Sequence, residues 1–188
     1  MREIWQNIHA QNGDTVNESL AIDLDQTDLR LLDLLQNDAS LSNQDLAVAA
    51  HTSAATALRR VRRLVDAGVI DRRVALLNPA RISLGGAGIS AIVEISLDRQ
   101  GAEHLDAFEQ RVQPDAEVQQ LWRVAPGPDF VLVVHCAEGM PGYLALVRRL
   151  FTQDANVRNV KAYFSVKRAK FDPRVVLLNK TTSGSPSL

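Results

Sequence analysis

Three helix-start signals crowd into one short stretch of the sequence, and they leave that stretch little choice but a set of short helices packed on one another. Asp25 has the character of an N-cap, with Asp28 three residues on and Leu24 and Leu29 spaced as a hydrophobic staple. Ser42 repeats the signal with Asp45, Leu41 and Leu46, and Ser53 starts a third helix that Gly68 stops. The spacing predicts helices from Asp25 to about Asn37, from Ser42 to a turn at His51 and Thr52, and from Ser53 to about Ala67. Their inward faces are Leu31, Leu32 and Leu35, then Leu46, Ala47 and Ala50, then Ala57, Val61, Leu64 and Val65.

The third helix also concentrates charge. The whole chain is nearly neutral, with 21 basic and 22 acidic side chains, yet six arginines fall between Ser53 and Arg73 against Asp66 and Asp71. At 100 degrees per residue, Thr56, Arg59 and Arg63 form a stripe opposite the inward face. Ala55 and Arg62 flank that stripe, and Arg60 stands at its boundary. Arginine pairs with guanine or phosphate, and a helix N-terminus capped by Ser53 favours phosphate. The candidate DNA contacts are therefore Ser53, Ala55, Thr56, Arg59, Arg60, Arg62, Arg63 and Arg72, with Arg59, Arg63 and Thr56 toward the bases and Arg60 and Arg62 as supports and phosphate contacts. The plainer reading is a solvated face, in which Asp66 pairs with Arg62 or Arg63 for about 0.3–0.5 kcal/mol. Arg59 has no such local partner.

From Ile70 to Leu77 the run reads as a short basic strand or wing, and residues 81–88 read as a glycine-rich linker. Beyond it the hydrophobic period changes to two. Ile89, Ala91, Val93, Ile95 and Leu97 mark a half-buried strand; Leu105, Phe108 and Val112 mark a helix ended by Pro114. Strands follow at Val118–Val124 and Phe130–Val134, the second continuous enough to be covered on both faces. A helix over Pro141–Phe151, with Leu144, Val147 and Leu150 or Phe151 inward, and a strand through Val160–Val166 complete the order. This is the ferredoxin-like βαββαβ arrangement, so the fold class is α+β with two domains, 23–80 and 89–180. Val175–Leu178 could add a short strand to the second. Residues 1–22 are polar and not basic enough for an arm along DNA, and 181–188 read as a disordered tail.

Catalytic and metal chemistry find little footing. Four histidines are scattered, His51 in the turn and His135 beside Cys136 among them, and form no ligand or acid–base constellation. A single cysteine in an apolar run is expected to be buried and inert, which fits a reducing compartment. Trp122 is expected to serve packing rather than ligand recognition. No stretch suggests a membrane span or signal peptide, so the cytoplasm is the expected location, with no cofactor and no metal.

Three segments carry a family resemblance. LDQTDLRLLDLLQND resembles the opening helix of the Lrp/AsnC (leucine-responsive, feast/famine) transcription regulators, LSNQDLAVAAHTSAATALRRVRRLVDAGVI their helix-turn-helix, and NPARISLGG the hinge before their ligand domain. The resemblance spans residues 23 to 178, with the helix-turn-helix motif at about 43–62. It implies a winged DNA reader joined to an effector-sensing and assembly domain, dimeric or a tetramer of dimers, on palindromic operators, answering to an amino acid or a relative. The family's effector loop, Thr-Gly-x-x-Asp, falls on Ala125, Pro126, Gly127 and Asp129. Only the aspartate is kept, and proline lacks the N–H that glycine offers. Asp129 equally suits a turn cap. Two alternatives stand beside a ligand-tuned regulator: an effector-independent architectural DNA-binding protein, and an enzyme resembling the sirohaem decarboxylases on the same fold, which the poverty in histidine disfavours.

Overall fold

The computed structural model describes residues 22–78, Arg81 and 88–177. The expected extension, most of the linker and the tail after Leu177 lie outside them. The chain divides into two compact units, residues 1–76 with 171–188, and residues 77–170.

The first unit is helical: α1 (Gln26–Asn37), α2 (Asn43–Ala49) and α3 (Ala54–Asp66). Asp25 caps α1 by accepting the Thr27 and Asp28 N–H groups, and Asp28 returns the bond by accepting the Asp25 N–H at 3.2 Å. Three of the four orphan donors at the helix start are thereby satisfied locally. Leu31, Leu35, Leu46, Ala47, Ala50, Ala57 and Val61 form one buried cluster. The expected inward face of α3 holds for Ala57, Val61 and Leu64, but Val65 is 45% exposed, one residue too far round the helix to reach the core. The expected strand after Gly68 does not form: residues 71–78 run irregular and exposed, and no neighbouring strand among the described residues offers a ladder.

The second unit comprises β1 (Ile89–Leu97), α4 (Ala102–Val112), β2 (Val118–Arg123), β3 (Phe130–Cys136), α5 (Met140–Val147) and β4 (Val157–Phe164), in the sheet order β2-β3-β1-β4 with every pairing antiparallel. Alternation directs Ala91, Val93, Ile95 and Leu97 of β1 and Phe130, Leu132, Val134 and Cys136 of β3 to one face, where the helices pack. There Phe108 of α4 stacks on Phe130 at 4.6 Å, with Phe151 at 6.4 Å. The expectation that β3 is covered on both faces is corrected, since Val131, Val133 and His135 between the buried positions remain half-exposed. Trp122 is likewise 58% exposed and packs no core; it lies on the uncovered face. The inward expectation for α5 holds for Val147, Leu150 and Phe151 and is corrected at Leu144. Tyr143, Leu146, Leu150 and Phe151 are buried while Leu144 is exposed, because after Val147 the helix widens into a π turn over Arg148–Thr152 that inserts an extra residue into the helical frame.

Phe171–Leu177 adds no strand to this sheet. These residues group instead with the helical unit, held there by polar bonds to α1.

Candidate nucleic-acid interface

The helix-turn-helix is built from α2, a tight turn and α3. Ala47 and Ala50 are buried and small, which lets the two helices approach. Thr52 N–H donates to the Ala47 carbonyl at 2.8 Å, and His51 takes a left-handed φ of 54° to reverse the chain. Ser53 then caps α3: its Oγ accepts the Thr56 N–H at 3.2 Å and donates to the Thr56 hydroxyl at 2.9 Å. The Ser53 and Thr56 hydroxyls therefore enter any complex already bonded to each other.

The four arginines of α3 divide by partner. Arg60 donates through Nη1 to Asp25 at 2.6 Å and to Asp28 at 3.0 Å, and Arg63 through Nη2 to Asp28 at 2.5 Å. Asp28 is wholly buried. Asp25 is held below the ordinary carboxylate range first by the Asp28 N–H and then by Arg60, while the two carboxylates raise the Arg60 guanidinium. Arg60 Nε is buried without a hydrogen-bond partner, which marks how firmly the side chain is drawn into this junction. Arg59 and Arg62 are exposed, and among the described residues neither pairs with a carboxylate. With Ala55, Leu58, Arg63, Asp66 and Ala67 they border an open groove of about 650 Å³. Arg63, expected beside Arg59 on the outer stripe, is thus tied to α1, and Arg62, expected among the supports, points free. Asp66 forms no ion pair with Arg62 or Arg63; the carboxylate that competes for Arg63 comes instead from 35 residues upstream. That partner was present in the sequence only as a cap residue, and the signal for its second role was an unusual acid at N3 facing the apolar side. Arg72 is exposed and pairs with its neighbour Asp71 at 3.0 Å.

In the second unit, the loop expected to meet an effector joins β2 to β3. Ala125, Pro126 and Gly127 are exposed, the Ala125–Pro126 peptide is cis, and Gly127 has φ 123°. Asp129 is committed to the scaffold: its Oδ2 accepts the Leu97 N–H at 2.6 Å, its N–H donates to the Ile95 carbonyl, and its carbonyl accepts the Val124 N–H. Cys136 is buried, and desolvation with the Glu117 carboxylate nearby pushes its thiol up to about 11. Among the described residues no group of His, Cys, Asp and Glu is placed to hold a metal, and no helix is long and apolar enough to cross a membrane.

Comparison with known proteins agrees with this layout. The winged helix-turn-helix DNA-binding family matches residues 24–71, and the Lrp/AsnC ligand binding domain matches residues 90–175. The DNA-binding transcriptional activator DecR of Escherichia coli is 33% identical over 148 residues, covering 79% of this chain and 95% of the relative. An AsnC family transcriptional regulator from Agrobacterium tumefaciens superposes with a TM-score of 0.73 at 28% identity, over 82% of this chain and 97% of that one. A transcriptional regulator from Neisseria meningitidis, solved as an L-Met complex, does so with a TM-score of 0.72 at 26% identity over the same shares. With a DNA-reading unit and a ligand-binding unit matched in order, and a relative matched almost end to end, the chain belongs to the Lrp/AsnC family of transcription regulators.

Proposed function

We propose that this regulator reads a palindromic duplex as a homodimer, with Arg59 and Arg62 as its principal groove and phosphate contacts and Arg60 and Arg63 holding α3 in position. The observation that carries this is the partition of the four arginines: two pair with Asp25 and Asp28, and two border the open groove with no ion pair among the described residues, the Asp66 carboxylate lining the same groove without reaching them. Ser53, Ala55 and Thr56 meet the backbone at the helix start, and Arg72 exchanges its exposed partner Asp71 for phosphate. Selecting bound duplexes from a random pool supplies the probe. Arg59→Ala and Arg62→Ala then each weaken that duplex by about 5- to 150-fold and flatten the salt dependence by about one unit of slope, whereas Arg63→Ala acts mainly on stability. Undiminished affinity in the Arg59→Ala, Arg62→Ala double variant would refute the reading.

The sheet supports the dimer. Its uncovered face carries the row Gln120, Val133, Ile92, Tyr163 across all four strands, and beside it the row Trp122, Val131, Glu94, Lys161. Such a face needs a cover, and a second copy supplies one while pairing two recognition helices for two half-sites. Ile92→Lys should yield a monomer in light scattering. We further read the chain as a cytoplasmic regulator without enzymatic activity, answering to an amino acid as the Neisseria relative's L-Met complex suggests. The second reading, an effector-independent architectural protein, draws on Pro126 and Pro128, which offer no N–H, and on Asp129, already spent on Leu97. Calorimetry against a panel of amino acids separates the two: heat at micromolar to millimolar concentrations supports the first, and none supports the second.

A further inference from the structure

The helical unit contains a segment from the far end of the chain, Phe171–Leu177. Gln36, on the last turn of α1, spends both halves of its amide on one residue of it: Nε2 donates to the Val175 carbonyl at 3.1 Å, and the Val175 N–H donates to Oε1 at 2.6 Å. The side chain thus reproduces the paired bonds that one strand makes to another. Arg174 donates to the next α1 residue, Asn37, and its Nε and Nη2 grip Asp172 at 2.9 and 2.8 Å. The Val175 side chain stays 64% exposed, so polar bonds to α1 and not burial of that side chain seat the segment. At the other end of α1, about 18 Å away along a helix of 12 residues, stand Asp25 and Asp28 with their grip on Arg60 and Arg63.

We infer that Phe171–Leu177 is a strap that positions the recognition helix through α1, with Gln36 and Arg174 as positioning residues for DNA binding. This rests on α3 being the helix that reads DNA. The chain leaves the helical unit after Leu76 and returns at Phe171, so the ligand-binding unit is tied to the DNA reader twice. A displacement of the chain at Lys170 is delivered to the C-terminal end of α1, and the carboxylates at its N-terminal end pass it to Arg60 and Arg63. An anchor made of a few exposed polar bonds opens and closes readily, as a transmitting contact must.

The test uses the full chain and a duplex enriched from a random pool. In wild type the Val175 amide is protected from hydrogen exchange. Gln36→Ala accelerates that exchange about tenfold or more and lowers duplex affinity about three- to tenfold; Gln36→Glu, which keeps the acceptor for Val175 N–H, restores both in large part. Arg174→Ala, an exposed change that leaves the helical core untouched, lowers duplex affinity in the same direction and serves where Gln36→Ala disturbs the fold. Arg59→Ala lowers duplex affinity with Val175 protection intact, which separates loss of base reading from loss of the strap. The inference is overturned if Val175 exchanges at the free-peptide rate in wild type, or if its protection disappears in Gln36→Ala while affinity stays within about twofold.

Discussion

Asp28→Asn tests the junction between α1 and α3 most directly. The wild-type carboxylate is wholly buried and accepts from two guanidinium groups and from the Asp25 N–H. Asparagine keeps the volume and one acceptor, but turns an amide donor toward two cationic donors. Removing one partner of a fully buried pair costs about 3–5 kcal/mol, and an exposed pair is worth less than about 1 kcal/mol. The Arg60 side chain is 22% exposed and the Arg63 side chain 45%, so both can rehydrate in part. The expected loss therefore lies between the limits, at about 2–3 kcal/mol. Hydrogen exchange of the full chain at neutral pH reads it locally: amides in the middle of α1 and α3 should exchange about 30- to 150-fold faster, with the β1 and β3 amides unchanged. Pairing the change with Arg63→Gln should give a double variant less destabilised than the sum of the singles, because the two side chains share one interaction. Acceleration below about threefold, or strict additivity, would show that the junction does not hold the recognition helix.

Acid should act on the same unit. The folded Asp25 and Asp38 carboxyls sit below their ordinary value, Asp25 through the Asp28 N–H and Arg60, Asp38 through Ser40, so the stability they contribute is complete above the unfolded pKa of about 3.9 and is lost as pH falls through the lower folded values. Helical circular dichroism in mild urea should be flat from about pH 7 to 5 and decline below about pH 4; a decline centred near pH 6 would contradict this. The Cys136 thiol, buried and raised to about 11, should resist iodoacetamide at pH 8 and react only after unfolding, and fast labelling of the folded chain would be inconsistent with its burial. Gly88 has φ 57°, and a Cβ there would stand 2.8 Å from the Cys136 carbonyl oxygen, so Gly88→Ala should cost at least about 1 kcal/mol in thermal unfolding of the sheet unit, where a neutral result would mean that the backbone at this point yields freely.

Local signals carried much of this protein. The caps at Asp25, Ser42 and Ser53 and the left-handed stop at Gly68 are contacts over a few residues, and the structure places α1, α2 and α3 where those signals set them. Period-two alternation likewise placed β1 and its buried face, since strand geometry repeats every second residue whatever the partners. Periodicity placed Leu150 and Phe151 of the last helix inward but misplaced Leu144, because a π turn breaks the 3.6-residue repeat between them. Other features depended on partners distant in the sequence. Helical spacing put Arg63 with Arg59 on an outer stripe, but a long flexible side chain goes where a counter-charge is, and the buried Asp28 lies 35 residues away in sequence. The exposed sheet face around Trp122 follows from which side the helices cover. Val175 pairs with Gln36 across 139 residues, a separation at which neither propensity nor periodicity carries information. The sequence by itself determined that there is a recognition helix and which arginines it bears; only the tertiary structure decided which of them are left free, because charge pairing is settled by proximity in space.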